Sequence, residues 1–269
     1  MAERVCYVYG VVPPTFNVSG APAGIDELDV ALAQEGSVAA LVSSPEAAAY
    51  EASVVETLTA DLDWLAPRAA AHDRVLTWAS DRGPVAPFPL LSLFRDEAGV
   101  RAMLRSRSEE LTRALERAAA GREYQLRVFR LDALLAEHLR ELSPHIAEME
   151  DAAARASPGQ GYLLGRKLEE ERRGELRRVA VEVAQEVHAT LRATALDTAT
   201  DSLPRQPADG DAGTAVLNAA YLVADDRLTE FRAALTQLIA RREPAGFRFE
   251  FTGPWPVYHF VRGPADGEE

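Results

Sequence analysis

The chain has 269 residues, 47% hydrophobic and 26% charged, a globular balance that excludes a disordered or collagen-like polypeptide. Its formal net charge of −13 opposes phosphate backbones and anionic lipid, so neither nucleic acid nor membrane is expected as a partner. One cysteine, Cys6, leaves no intrachain disulfide and no multi-cysteine metal site.

The opening MAERVCYVYGVVPP is too short and too early in its charges for a signal peptide, and it stops at Pro13-Pro14. No run of about 18 apolar residues occurs, so a cytosolic protein is expected. Residues 4–12 (RVCYVYGVV) are β-branched and aromatic on both faces, which predicts a strand near the middle of a sheet with Cys6 buried in it. A loop over 13–25 leads to a second short strand near 26–33. Residues 37–43 (SVAALVS) read as a third, after Gly36.

Residues 46–80 read as helical. From Val55 the apolar positions Leu58, Leu62, Leu65, Ala69, His72 and Leu76 alternate spacings of three and four, which predicts one buried face. Pro67 predicts a kink or a break. Residues 85–94 (VAPFPLLSLF) are extended, and Pro87 and Pro89 confine them to an edge or a loop. Residues 96–120 predict a helix closed by Gly121.

Residues 123–131 (EYQLRVFRL) predict a strand, and 132–156 a helical stretch broken at Pro144. Residues 157–161 (SPGQG) read as a turn before a long charged helix over 162–196. Its apolar face is Leu176, Val179, Val183, Val187 and Leu191, and KLEEERRGELRR sets Glu and Arg at pairing distances. A weak strand is expected around Ser202–Gln206, then a strand over 214–223, a helix over 225–242 and a strand over 246–252, where Phe247, Phe249 and Phe251 alternate with polar residues. The order strand, helices, weak strand, strand, helix, strand matches a split βαβ pattern. The expectation is therefore an α+β, two-domain chain. An N-terminal α/β domain takes residues 1–121, a C-terminal ferredoxin-like domain with inserted long helices takes 122–261, and a polar tail takes 262–269.

The most distinctive stretch is GPWPVYHFV, residues 253–261. Pro254 and Pro256 hold Trp255 in extended backbone and deny the sheet a donor, so the segment leaves the sheet or lies on its edge. Tyr258 and Phe260 are expected on one side of the chain, as in a strand. A rigid Trp beside a Tyr suits a partner-binding anchor, and equally a plug that packs the strand end on its own domain.

Several stretches in the same order resemble the gas vesicle GvpF/GvpL family. The ending is similar to the family's usual GPWPPYSF. The opening YVYGVV resembles its first strand, and Gly24-Ile25 followed by VAALVS its second and third. Trp64-Leu65, His72 and Val75-Leu76 resemble its WL…H..VL helix, PGQGYLLGRK its PG..YL..R turn, and NAAYLV (Asn218 to Val223) the strand before its last helix. Two departures stand out. Val257 and His259 replace the usual Pro and Ser of the ending, and APFPLLSLF lacks the glycine of the family's PLPFGTVF.

The resemblance implies a role in gas vesicle formation without enzymatic activity, cofactor or metal. The implied partners are the small hydrophobic shell protein and other gas vesicle accessory proteins, met in the cytoplasm at the vesicle. The candidate contact residues are Pro254, Trp255, Pro256, Tyr258 and Phe260. A soluble partner is also physically required, because a shell subunit with a strongly apolar face aggregates before assembly.

The rival reading is a small-molecule-binding or hydrolytic enzyme on a ferredoxin-like scaffold. His72 beside Asp73 has the elements of a general base with its orienter. Glu137, His138, Glu141 and His145 fall within nine positions, but Pro144 interrupts any shared helical face and no H-E-x-x-H pattern occurs. Gly159 and Gly161 precede Arg166 and Lys167 without a full phosphate-binding motif. A pocket lined by His72 and a second polar group would favour the enzyme; a buried, satisfied His72 would favour the binding protein.

Overall fold

The computed structural model describes residues 3–51, 54, 56, 58–203 and 213–260. Two compact units form: Met1–Glu123 together with Pro254–Glu269, and Tyr124–Gly253. The ending thus groups with the first unit by its contacts.

In the first unit, β1 (Cys6–Val12), β2 (Ala31–Glu35), β3 (Val38–Ser43) and β4 (Ala86–Pro87) make a sheet in the order β2-β3-β1-β4, with β5 (Leu93–Phe94) also paired to β1. Every pairing is antiparallel. All seven residues of β1 are buried, as a central strand of apolar residues requires. The segment 85–94 supplies only two-residue strands, because Pro87 and Pro89 cannot donate to a ladder.

The second strand begins later than its sequence predicts. Residues Ile25–Glu27 form a 3-10 turn, with Asp26 and Glu27 at φ 49° and 56°, and the strand starts at Ala31. Side chains distant in sequence hold this turn. Tyr9 Oη accepts the Ile25 N–H at 2.8 Å, and the Asp26 carboxylate takes Tyr50 O–H at 2.6 Å and Arg68 at 2.6 Å.

Beyond a 3-10 turn at Ala47–Tyr50, α1 (Leu62–Ser80) starts at Asp61, whose carboxylate caps the Asp63 N–H. It runs through Pro67, its sixth residue, as one helix, without the hydrogen bond that a residue there would donate to Asp63 O. Its buried face is His72, Val75, Leu76 and Ala79; Leu62 is exposed on the first turn, and Val55 lies outside the described residues. The helix expected over 96–120 divides at Arg107 into α2 (Glu97–Ser106) and α3 (Ser108–Ala120).

In the second unit, β6 (Arg122–Arg130), β7 (Asp197–Thr200), β8 (Thr214–Val223) and β9 (Phe247–Trp255) form a sheet in the order β7-β8-β6-β9, with β7 and β8 antiparallel. The weak strand lies at 197–200, upstream of the expected Ser202–Gln206, of which residues 204–206 are outside the described residues. The polar tail at 262–269 is outside them as well.

Helices α4 (Asp132–Leu142) and α5 (Pro144–Arg155) meet at Ser143, which caps α5. The 35-residue helix α6 (Pro158–Arg192) begins where a turn was expected. Pro158 is its first residue, a position that suits proline's fixed φ and missing donor, and the Gly161 N–H already bonds Ser157 O at 2.7 Å. Val179, Val183, Val187 and Leu191 of α6 are buried in a core with Tyr221 of β8 and Phe231 of α7 (Leu228–Arg242). Each such burial contributes about 1.5–3 kcal/mol, whereas an exposed ion pair contributes about 0–1, so the apolar stripe positions this helix.

Candidate functional site: the Gly-Pro-Trp-Pro ending

Strand β9 is an edge strand, the place in a sheet where a proline such as Pro254 is tolerated. Gly253 sits at φ 121°, a backbone region that side chains disfavour, and this starts the bend of the ending. The strand stops at Trp255, and residues 259–260 are a turn. The strand-like alternation expected of Tyr258 and Phe260 therefore does not continue, because prolines 254 and 256 and the turn break the period of two.

The five candidate residues separate by burial. Pro254 and Trp255 are exposed, Trp255 at 40%. Pro256 and Phe260 are buried, and Tyr258 packs partly buried against the aromatic core of the first unit, which includes Tyr7 and Tyr9. The backbone is anchored twice more. Arg117 Nη1 donates to Phe260 O at 3.2 Å. Glu123, only 2% exposed, accepts the His259 N–H at 3.0 Å and pairs with His259 Nδ1 at 2.6 Å. Sequence reasoning missed this pair. Its one available signal was His259 itself, standing where the family pattern has Ser.

The other candidates are occupied by packing. His72 is 4% exposed. Tyr7 O–H donates to its Nδ1 at 2.7 Å, its Nε2–H donates to Phe88 O at 3.2 Å, and the Leu91 N–H reaches the Tyr7 oxygen at 3.3 Å. Burial lowers the His72 pKa to about 4, so the ring is neutral. Asp73 is exposed and makes no pair with it; the expected His–Asp couple is absent because successive helix positions face different ways. Burial also pushes the Cys6 thiol up to about 11, which makes it a poor nucleophile.

The Glu137–His145 group is dispersed by the break at Ser143. His138 lies 3.6 Å from Glu141, His145 lies 3.7 Å from Glu171, and Glu137 is exposed. Among the described residues no group of three or more His, Cys, Asp or Glu could hold a metal ion. The charged stretch of α6 bonds to the hairpin beneath it: Arg172 pairs with Glu150 at 2.6 Å, and Arg140 with Glu150 at 3.0 Å and Asp151 at 2.8 Å. Glu175 receives Ser143 Oγ and Arg178; the guanidinium hydrogen bonds hold its carboxyl down to about 2. No helix among the described residues is long and apolar enough to cross a membrane.

These features define an α+β protein with two antiparallel sheets whose distinctive surface is an anchored aromatic ending. A family model for the gas vesicle synthesis proteins GvpL/GvpF matches residues 5–262. Gas vesicle protein L of Streptomyces sp. (strain CB03234) is 31% identical over 262 residues, covering 96% of this chain and 93% of that protein. The crystal structure of gas vesicle protein GvpF from Anabaena sp. PCC7120 superposes with a TM-score of 0.69 at 16% identity, over 96% of this chain and 98% of that one. That of GvpF from Microcystis aeruginosa gives 0.65 at 17% identity, over 96% and 99%. The chain belongs to the GvpL/GvpF family of gas vesicle synthesis proteins, which places it in gas vesicle formation.

Proposed function

We propose that the chain acts in gas vesicle assembly as a non-enzymatic binding protein. It meets the small hydrophobic shell protein and other accessory proteins in the cytoplasm and stays associated with the forming vesicle. The observation that carries this reading is Trp255. The ending around it is fastened by Glu123, Arg117 and buried Phe260, yet Trp255 stays 40% exposed. A large aromatic held rigidly at the surface binds at little entropic cost and suits an interface anchor. Pro254 extends that surface, while Pro256, Tyr258 and Phe260 hold it in place. The satisfied, neutral His72 supports the binding reading over the enzymatic one.

The strand order β7-β8-β6-β9, with helices between β6 and β7 and between β8 and β9, supports a ferredoxin-like second domain with inserted helices.

The test is capture of co-expressed shell protein by the wild-type chain and by Trp255→Ala. Unchanged circular dichroism and melting temperature confirm that the variant folds. Loss of an anchor is expected to weaken capture by tens-fold, about 2 kcal/mol. Equal capture by both proteins would remove Trp255 from the interface, and no capture by either would end the direct-binding reading.

A further inference from the structure

The first turns of α6, in the second unit, carry large apolar side chains in water. Tyr162 is 69% exposed and Leu163 67%. Beside them lies a groove of about 500 Å³ lined by Ala152, Arg155 and Ala156 from the end of α5 and Gln160, Leu163 and Leu164 from the start of α6. Its volume suits a few apolar side chains of an incoming segment.

The one charged residue lining this groove, Arg155, runs against the charge of the whole chain, and the stretch between Asp151 and Glu169 is basic. From Ala152 to Leu168 the sequence has Arg155, Arg166 and Lys167, the only lysine, and no acidic residue, in a chain of net charge −13. Lys167 is four positions from Leu163 and three from Leu164, so it lies on the groove's helical face. Arg155 lines the groove directly, and Arg166, exposed, is three positions along the helix from Leu163. Further along the same helix, Arg172 and Arg178 are bonded to Glu150, Glu169, Glu175 and Glu182.

We infer that this groove is a docking site for an amphipathic helix of another protein, one with an apolar ridge flanked by acidic side chains. The apolar floor takes the ridge, and the three cations pair with the flanks and set its orientation. A second copy of this chain fits poorly: a two-fold contact centred on the groove would bring the two sets of cations together. An anionic membrane is a poor fit too, since the remaining surface is repelled by it. This site stands on its own geometry, apart from the Trp255 surface.

The experiment uses the full chain and two labelled helical peptides of identical Leu/Ile ridge, one flanked by Glu and one by Lys, measured by fluorescence anisotropy. Bulk charge favours the Lys peptide on an acidic protein, so only a local cationic site reverses the order. The expected result is preference for the Glu peptide, with affinity falling as salt rises. Leu163→Gln should weaken it at least ten-fold, and the pair Arg166→Glu, Lys167→Glu should switch preference to the Lys peptide. All three positions are exposed, and unchanged circular dichroism and melting temperature confirm that the variants fold. Preference for the Lys peptide, equal binding of both, or no binding would overturn the proposal. So would binding to phosphatidylglycerol vesicles without the Glu peptide, or self-association that Leu163→Gln abolishes.

Discussion

The carboxylate of Glu123, at the start of β6, receives both the backbone N–H and the ring Nδ1 of His259, 136 residues later. One buried side chain thus fixes the path of the family's signature ending, and it does so through a residue at which this chain departs from the family pattern.

That contact makes a stability prediction. Glu123→Ala leaves the His259 N–H without its acceptor in a part-buried setting, at a cost of about 2 kcal/mol. His259→Ser restores the residue usual in the family, and its hydroxyl is able to donate to the same carboxylate, so the loss should stay under about 1 kcal/mol. Urea denaturation of both variants checks this. A loss below about 0.5 kcal/mol for Glu123→Ala would show that water replaces the bond.

His72 gives the fold a pH dependence of known sign. Its folded pKa of about 4 lies below the ordinary value of 6.5, because burial disfavours the imidazolium. Between these values the unfolded chain holds the proton and the folded chain does not. Stability is therefore full above about pH 6.5 and declines as pH falls towards 4, by on the order of 3 kcal/mol. His72→Gln should flatten that part of the stability–pH curve. A curve of unchanged slope would assign the acid sensitivity to other groups.

Leu91 occupies φ 66°, a left-handed conformation costly for a branched side chain. Aligning PLPFGTVF with residues 87–94 sets the family's glycine at this position. Leu91→Gly and Leu91→Ala lose the same packing and differ mainly in backbone strain, so the glycine variant should be the more stable by about 1 kcal/mol. Thermal unfolding of the pair decides it, and equal stabilities would show that the loop relaxes to accommodate alanine.

Gly24 is required for the opposite reason, the space it leaves. A Cβ there would lie 2.0 Å from Tyr9 Oη, the oxygen that accepts the Ile25 N–H and donates to Ser43 Oγ at 2.9 Å. Gly24→Ala must displace that hydroxyl, with an expected loss of about 2–3 kcal/mol. Adding Tyr9→Phe removes the hydroxyl contact and leaves only those with the ring Cζ and Ser43 Oγ at 2.9 Å, so the double variant should lose less than the sum of the single changes.

Periodic signals were legible in the sequence. The apolar β1, the Val179–Val183–Val187–Leu191 stripe and the strand at 214–223 all lie where local patterns place them. The ending was legible too, through proline chemistry and a resemblance spread along the chain. The break between α4 and α5 was legible at Pro144, but boundaries were less so where distant side chains decide them: Tyr9 and Arg68 hold a turn at 25–27.

The sequence by itself determined the α+β class, the likeness to a gas vesicle family and the weakness of every catalytic motif. These rest on residue type and spacing, which are local properties of the chain. Only the tertiary structure decided which of five candidate residues meet solvent, that Glu123 grips His259, and that Arg155 and Leu163 line one groove. Burial and long-range pairing depend on which elements pack together, and no local pattern carries that information.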